Sequence, residues 1–195
     1  MSPLSNKIVL LNAPKGAGKD TVGECLRLMF GCSLRSFKTA LYDCTYPFTD
    51  CKDMAEFIKY CTDRSLKEKP SPLFHGMSPR EALIYVSEKM TKPHFGQEFF
   101  GRKSALSISS DDFDKGVVFT DSGFAEEVFP LMKEFGGKNI YVVQFSGQGS
   151  NNFAGDSREF IQVDGVHTIR MDVRNENIVP GEFAHLIIQE IAKYG

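Results

Sequence analysis

The segment from Lys7 to Thr21, KIVLLNAPKGAGKDT, sets an unbroken apolar run against two closely spaced glycines and a lysine, and few chain geometries accept all of it. Ile8, Val9, Leu10 and Leu11 are apolar without alternation, which predicts a strand over 7–12 with both faces covered by helices. Beyond the glycines, Val22, Leu26, Met29 and Phe30 recur at helical spacing until Gly31 offers a C-cap. The order is strand, tight loop, helix.

The loop carries specific chemistry. Against the phosphate-binding pattern G-x-x-x-x-G-K-[ST], Ala13 stands at the first glycine, Gly18 and Lys19 match, Asp20 takes the Ser/Thr position, and Thr21 follows one later. Gly16 and Gly18 let successive backbone N–H groups turn toward phosphate oxygens, and a helix starting at Lys19 adds partial positive charge. Pro14, Lys15, Gly16, Ala17, Gly18, Lys19, Asp20 and Thr21 are therefore the expected cradle for the triphosphate of ATP. Lys19 would reach the β and γ phosphates, and the Thr21 hydroxyl would stand near Mg²⁺. The plainer alternative is a lysine after an ordinary strand-to-helix turn.

Strands and helices alternate along the rest of the chain. Met54, Phe57, Ile58 and Cys61 form a stripe that predicts a helix over 52–63, and Ser78, Pro79 and Glu81 mark another helix start with a capping box. FGQEFFGRKSALSIS reads as a further helix, with Gly96 and Gly101 against it, and the acidic SSDDFDKG reads as a separator. VVFTD, KNIYVVQF and HTIRMDV are strand candidates. Residues 124–135 look helical, but Pro130 predicts a kink or a start near Phe129. The polar SGQGSNNFAGDSRE has the length and composition of a lid, and Phe183, Leu186, Ile187 and Ile191 mark a terminal helix. This alternation implies a mainly parallel sheet covered by helices on both faces.

With 195 residues, 42% of them hydrophobic, the chain can bury a core as one domain. Its net charge of −2 argues against duplex DNA as a partner. No apolar run approaches a membrane span, so the expectation is no membrane association and a cytoplasmic protein. Cys25, Cys32, Cys44, Cys51 and Cys61 are odd in number and never spaced C-x-x-C, as for thiols in a reducing compartment. The scattered histidines argue against a zinc site.

A glycine loop followed by Lys-x-Thr resembles nucleoside monophosphate kinases, and GKDT looks like the loop of the bacteriophage deoxynucleoside monophosphate kinases. The likeness continues in order through SFKTALYD, SPREAL, FGQEFF, VVFTDSGFAEE and FAGDSREFI, over roughly residues 7–161. It implies a three-layer P-loop NTPase α/β fold in a single domain, 1–195, with an acceptor-side helical region over about 38–110 and a lid-like loop over about 146–158. Lys38 would contact the acceptor monophosphate and Arg80 would open an acceptor-side helix. Asp121 would hold Mg²⁺ through water, and Arg158 would stabilise the transferred group. In the family the strand-end motif often reads Asp-x-Arg, whereas here Asp121-Ser122-Gly123 lacks that arginine. A further family arginine is replaced in QFSGQG, which leaves Arg158, Arg102 or another basic residue to substitute. The resemblance implies small nucleotide substrates, host cytoplasm for a phage-encoded chain, and leaves room for a homodimer.

A nucleoside monophosphate presents an anionic phosphate oxygen as nucleophile, so transfer needs charge screening and alignment rather than a general base. A hydroxyl acceptor, in a nucleoside or a hydroxymethylated base of DNA, would profit from a carboxylate, and Asp43 could serve. A non-catalytic nucleotide-binding module is the third reading. Gln97, Tyr42, Tyr85 and Phe95 are candidates for reading the base, and ordinary packing explains them equally well.

Overall fold

A computed structural model describes residues 2–146, 153, 158–172 and 178–194. Among them, strands β1 (Ile8–Asn12), β2 (Ser33–Arg35), β3 (Val117–Phe119), β4 (Ile140–Ser146) and β5 (His167–Asp172) form one sheet in the order β2-β3-β1-β4-β5. Every neighbouring pair is parallel. Ile8 of central β1 stands beside Val117 on one side and Ile140 on the other, and Asn12 ends the strand beside Gln144.

Because successive side chains in a strand point to opposite faces, the apolar run of β1 feeds two cores. Val9 and Leu11 join Val118, Val143 and Ile169 in a core closed by Val22 and Leu26 of α1 (Lys19–Phe30) and by Phe183 and Ile187 of α9 (Pro180–Ala192). Ile8 and Leu10 face the other way, joining Val117, Phe119 and Val142 under Val128 and Leu131 of α8 (Ala125–Phe135). The expected parallel, helix-covered sheet is present. Helix α1 leads outward from β1 to edge strand β2, whereas α8 leads from β3 across β1 to β4. The connections of adjacent β1 and β3 thus diverge, and such a divergence leaves a crevice at the strands' carboxyl ends.

The chain forms two compact units, residues 1–37 with 101–195 and residues 38–100. The sheet and both cores above belong to the first. The second contains α2 (Lys38–Thr45), α3 (Met54–Thr62), α4 (Pro79–Tyr85), a π-helical turn over Val86–Thr91, and α5 (Lys92–Phe95). Phe57, Phe74, Cys51, Cys61 and Ala82 make its core, with Phe57 stacked on Phe74 at 5.8 Å between ring centroids. Asp53 caps α3 by accepting from the Glu56 N–H at 2.8 Å, and the Ser78–Glu81 capping box opens α4. Ile58, expected on the buried stripe of α3, is instead exposed. Helix α6 (Phe99–Leu106) returns the chain to the first unit, Gly96 lying before it and Gly101 inside it.

Two local expectations are corrected. Helix α8 runs unbroken through Pro130. The proline removes the bond that would reach the Glu126 carbonyl, and α6 comes so near that a Cβ on Gly101 would lie 2.9 Å from that oxygen. The acidic separator is a helix, α7 (Ser110–Lys115), started by a capping box between Ser109 and Asp112. Asp112 also accepts from Ser33 at 2.8 Å and Arg35 at 2.6 Å, tying α7 to β2.

Candidate functional site

Gly18, the N-cap of α1, sits at φ 87°, ψ 16°, and Gly16 at φ 85°. Both are left-handed, the conformation that favours glycine. A Cβ built on either meets no heavy atom within 4 Å, so backbone conformation and not crowding requires glycine here. Among the described residues no side chain caps the start of α1. The first turn of a helix has N–H groups without helical partners, and the dipole places about half a positive charge there. A glycine loop leading into such a helix end can take an anion.

Lys19 is buried in the first turn, and its ammonium donates to the carbonyl oxygens of Ala13 and, at 2.9 Å, of Pro14. The side chain therefore folds back over the loop it follows, keeping its charge at the loop. Lys15, Asp20 and Thr21 are exposed around it.

Asp121, just past β3, is buried. Its Oδ2 accepts from the Ser36 hydroxyl at 2.6 Å and its Oδ1 from the Phe37 N–H at 3.0 Å. The carboxylate thus fixes the turn after β2. Ser122 continues the seam, its hydroxyl donating to the Leu11 carbonyl at 3.0 Å.

Asn12, at the end of β1, is a hub that sequence reasoning did not single out. Fully buried, it donates through Nδ2 to the carbonyls of Ser122 at 3.3 Å and Glu159 at 3.0 Å, and its Oδ1 accepts from the Ile161 N–H at 2.8 Å. Gln144 of β4 donates to the Ile161 carbonyl at 2.6 Å and accepts from Arg170 at 3.3 Å. The Glu159 N–H reaches the Gly123 carbonyl at 3.3 Å. Residues 158–161 are therefore strapped across the carboxyl ends of β3, β1 and β4.

This strap brings Arg158 to the strand-end aspartate's loop. A Cβ placed on Gly123 would stand 2.5 Å from Arg158 Cδ and 2.6 Å from its Cβ, so the arginine stem covers the bare glycine. Lys19, Asp121 and Arg158 thus share the carboxyl end of one sheet. Residues 147–152 and 154–157 of the expected lid lie outside the described residues.

Lys38, Asp43, Arg80 and Gln97 all belong to the second unit. Lys38 opens α2 and Asp43 lies exposed on it. Arg80 pairs with Glu68 at 3.3 Å, both half-exposed, and Gln97 is exposed in the turn before α6. Tyr42 packs edge-on against Phe57, Phe95 is tilted on Phe99, and Tyr85 is exposed. Arg102, on α6, is exposed in the first unit.

The fold is shared with a kinase of known structure. An unliganded sugar kinase from a Janibacter species matches with a TM-score of 0.51 at 10% identity, over 95% of each chain. A candidate kinase from Chloroflexus aurantiacus matches at a TM-score of 0.48 and 12% identity over 100% of both chains. No protein-family model and no curated protein matches the sequence. No helix among the described residues is long and apolar enough to cross a membrane.

Proposed function

We propose that the chain is a P-loop kinase that transfers the γ-phosphoryl group of ATP to a (deoxy)nucleoside 5′-monophosphate. The observation that carries this reading is the start of α1, capped by no side chain among the described residues, behind left-handed Gly16 and Gly18, with Lys19 folded over the loop. The N–H groups of the loop and first turn would hold the phosphates, and Lys19 would counter their charge. Mg²⁺, when bound, screens the phosphate oxygens, and Thr21 and Asp121 are the residues that would hold it, Asp121 through water. Arg158, fixed against Gly123 by the Asn12 strap, would face the charge that builds during transfer. Its place beside the Asp121 loop supports it as the substitute for the arginine absent from position 123.

A hydroxyl acceptor is the second reading, favoured by Asp43, exposed on the helix that Lys38 opens. The deciding experiment measures ADP release from ATP and Mg²⁺ with deoxynucleoside and ribonucleoside monophosphates, hydroxymethylated pyrimidine monophosphates and free nucleosides. Turnover with monophosphates, lost in Lys19→Ala, is expected. Turnover with nucleosides alone, lost in Asp43→Asn, would move the reading to a hydroxyl kinase. ATP binding with no turnover would leave a nucleotide-binding module.

A further inference from the structure

The second unit carries a cleft of about 440 Å³, open to solvent on one side and within the size range of small-ligand pockets. Buried Phe74, Ala82 and Val86 line it within, and Phe48 and Tyr85, both half-exposed aromatics, line it toward solvent. Its titratable lining residues are Asp50 and His75, both exposed at the rim, and Thr45 and Thr49 add hydroxyls that donate to the Leu41 and Tyr46 carbonyls. His75 Nδ1 stands 3.6 Å from Asp50 Oδ2, too far for a good hydrogen bond, so neither group is saturated by the other.

The backbone around the cavity is unusual in two independent places. His75 adopts φ 53°, a left-handed conformation in a non-glycine residue, at the end of the 3₁₀ turn Pro72–Phe74. Elsewhere in the lining, α4 widens into the π-helical turn that supplies Val86 and Met90. Single π-turns and held αL residues gather at functional sites.

We infer that this cavity binds a guanine ring, held between aromatic side chains and read at its edge by Asp50 and His75. A carboxylate offers only acceptors, and a neutral or charged imidazole offers at least one N–H. Together they present acceptor, acceptor and donor, which complements the N2–H, N1–H and O6 of guanine. Thymine gives the carboxylate one N–H flanked by two carbonyl oxygens, and adenine and cytosine give it a single amino donor. Phe48 and Tyr85 supply the flat apolar surfaces on which bases stack. That the ring belongs to the phosphoryl acceptor rests on the kinase reading; the site itself does not.

The test is calorimetric titration of the full chain, without ATP, by dGMP, dIMP, dAMP, dCMP and dTMP. Methyl NMR of Met77 and Met90, both in the lining, locates the ligand. dGMP is expected to bind about tenfold or more tighter than dTMP or dCMP, as one bidentate edge contact would give. dIMP, lacking the N2 amino group, should fall between. Asp50→Asn, at an exposed side chain, should fold normally and erase the preference, while Lys19→Ala should keep it. Equal affinities for all bases, a preference that persists in Asp50→Asn, or unmoved Met77 and Met90 methyls would overturn the inference. Asp50-dependent dGMP binding without ADP release from any acceptor would remove the kinase reading and leave this site standing. ADP release that ignores the base and Asp50 would do the reverse.

Discussion

The side chain of Arg158 lies along the bare Cα of Gly123, where even a methyl group would meet the arginine's stem. Residues far apart in sequence thereby combine into one feature, an arginine beside the loop of the strand-end aspartate. Substituting Gly123 by Ala should displace Arg158 without emptying a core. Turnover should fall by about a hundredfold, as for a misplacement of about 1 Å, and Tm should fall with it, because the overlap reaches Arg158 Cβ and forces the strap's backbone to shift. Arg158→Ala should cost roughly 10³-fold or more. The double variant should be no worse than Arg158→Ala alone, since both changes act on one group. Steady-state kinetics on the three variants checks this.

Asn12 satisfies two carbonyls and one N–H, all main-chain groups at the strand ends. Asn12→Ala leaves these without their partner, so a loss of about 2–4 kcal/mol in unfolding free energy is expected. Urea denaturation measures it.

Burial alone would raise the Asp112 carboxyl, but bonds from Ser109, Ser33 and Arg35 outweigh it and hold the group below the ordinary carboxylate range. Its folded pKa is depressed, so its contribution is complete above the unfolded value of about 3.9 and drains as pH falls toward the folded one. Wild type should therefore lose stability steeply below about pH 4. Asp112→Asn should be weaker at pH 7 and flatter in that acid range. Thermal melts from pH 2 to 7 distinguish the two profiles.

Burial pushes the Cys61 thiol up to about 12, with Cys51 adding to it, and burial pushes Cys32 up to about 11. Thiolate is the reactive form. At pH 8, iodoacetamide should modify half-exposed Cys25 and Cys44 first and spare Cys61 and Cys32 until the protein is denatured. Peptide mapping over time reads the order.

β1, its glycine loop and α1 are legible in sequence because one short stretch holds an apolar run, two glycines and a helical stripe. Helix α7 is missed although Ser109 and Asp112 have capping-box spacing, because a run of acids reads as a solvated loop. Pro130 misleads because local propensity counts against it, while the buried face of α8, Val128 with Leu131, keeps the helix whole. Asn12 and Gln144 could not be found by pattern. Each looks like the polar end of an apolar strand, and their partners, main-chain atoms of Ser122, Glu159 and Ile161 and the Arg170 side chain, lie far off in sequence. The cavity is equally hidden, since its walls come from segments spread between Thr45 and Met90 and the π-helical turn has no residue signature.

The alternation along β1 has a consequence for how this chain can change. Ile8 and Leu10 serve one core, Val9 and Leu11 the other, and Asn12 comes next with the glycine loop behind it. Deleting one residue from this strand would swap the side chains between cores and turn Asn12 away from its three partners at once. Point substitutions of similar volume should pass in a deep mutational library, while insertions and deletions of any odd length between Ile8 and Leu11 should be purged. The strand acts as a reading frame, with the packing of two cores and the hydrogen bonds of Asn12 encoded in the same parity.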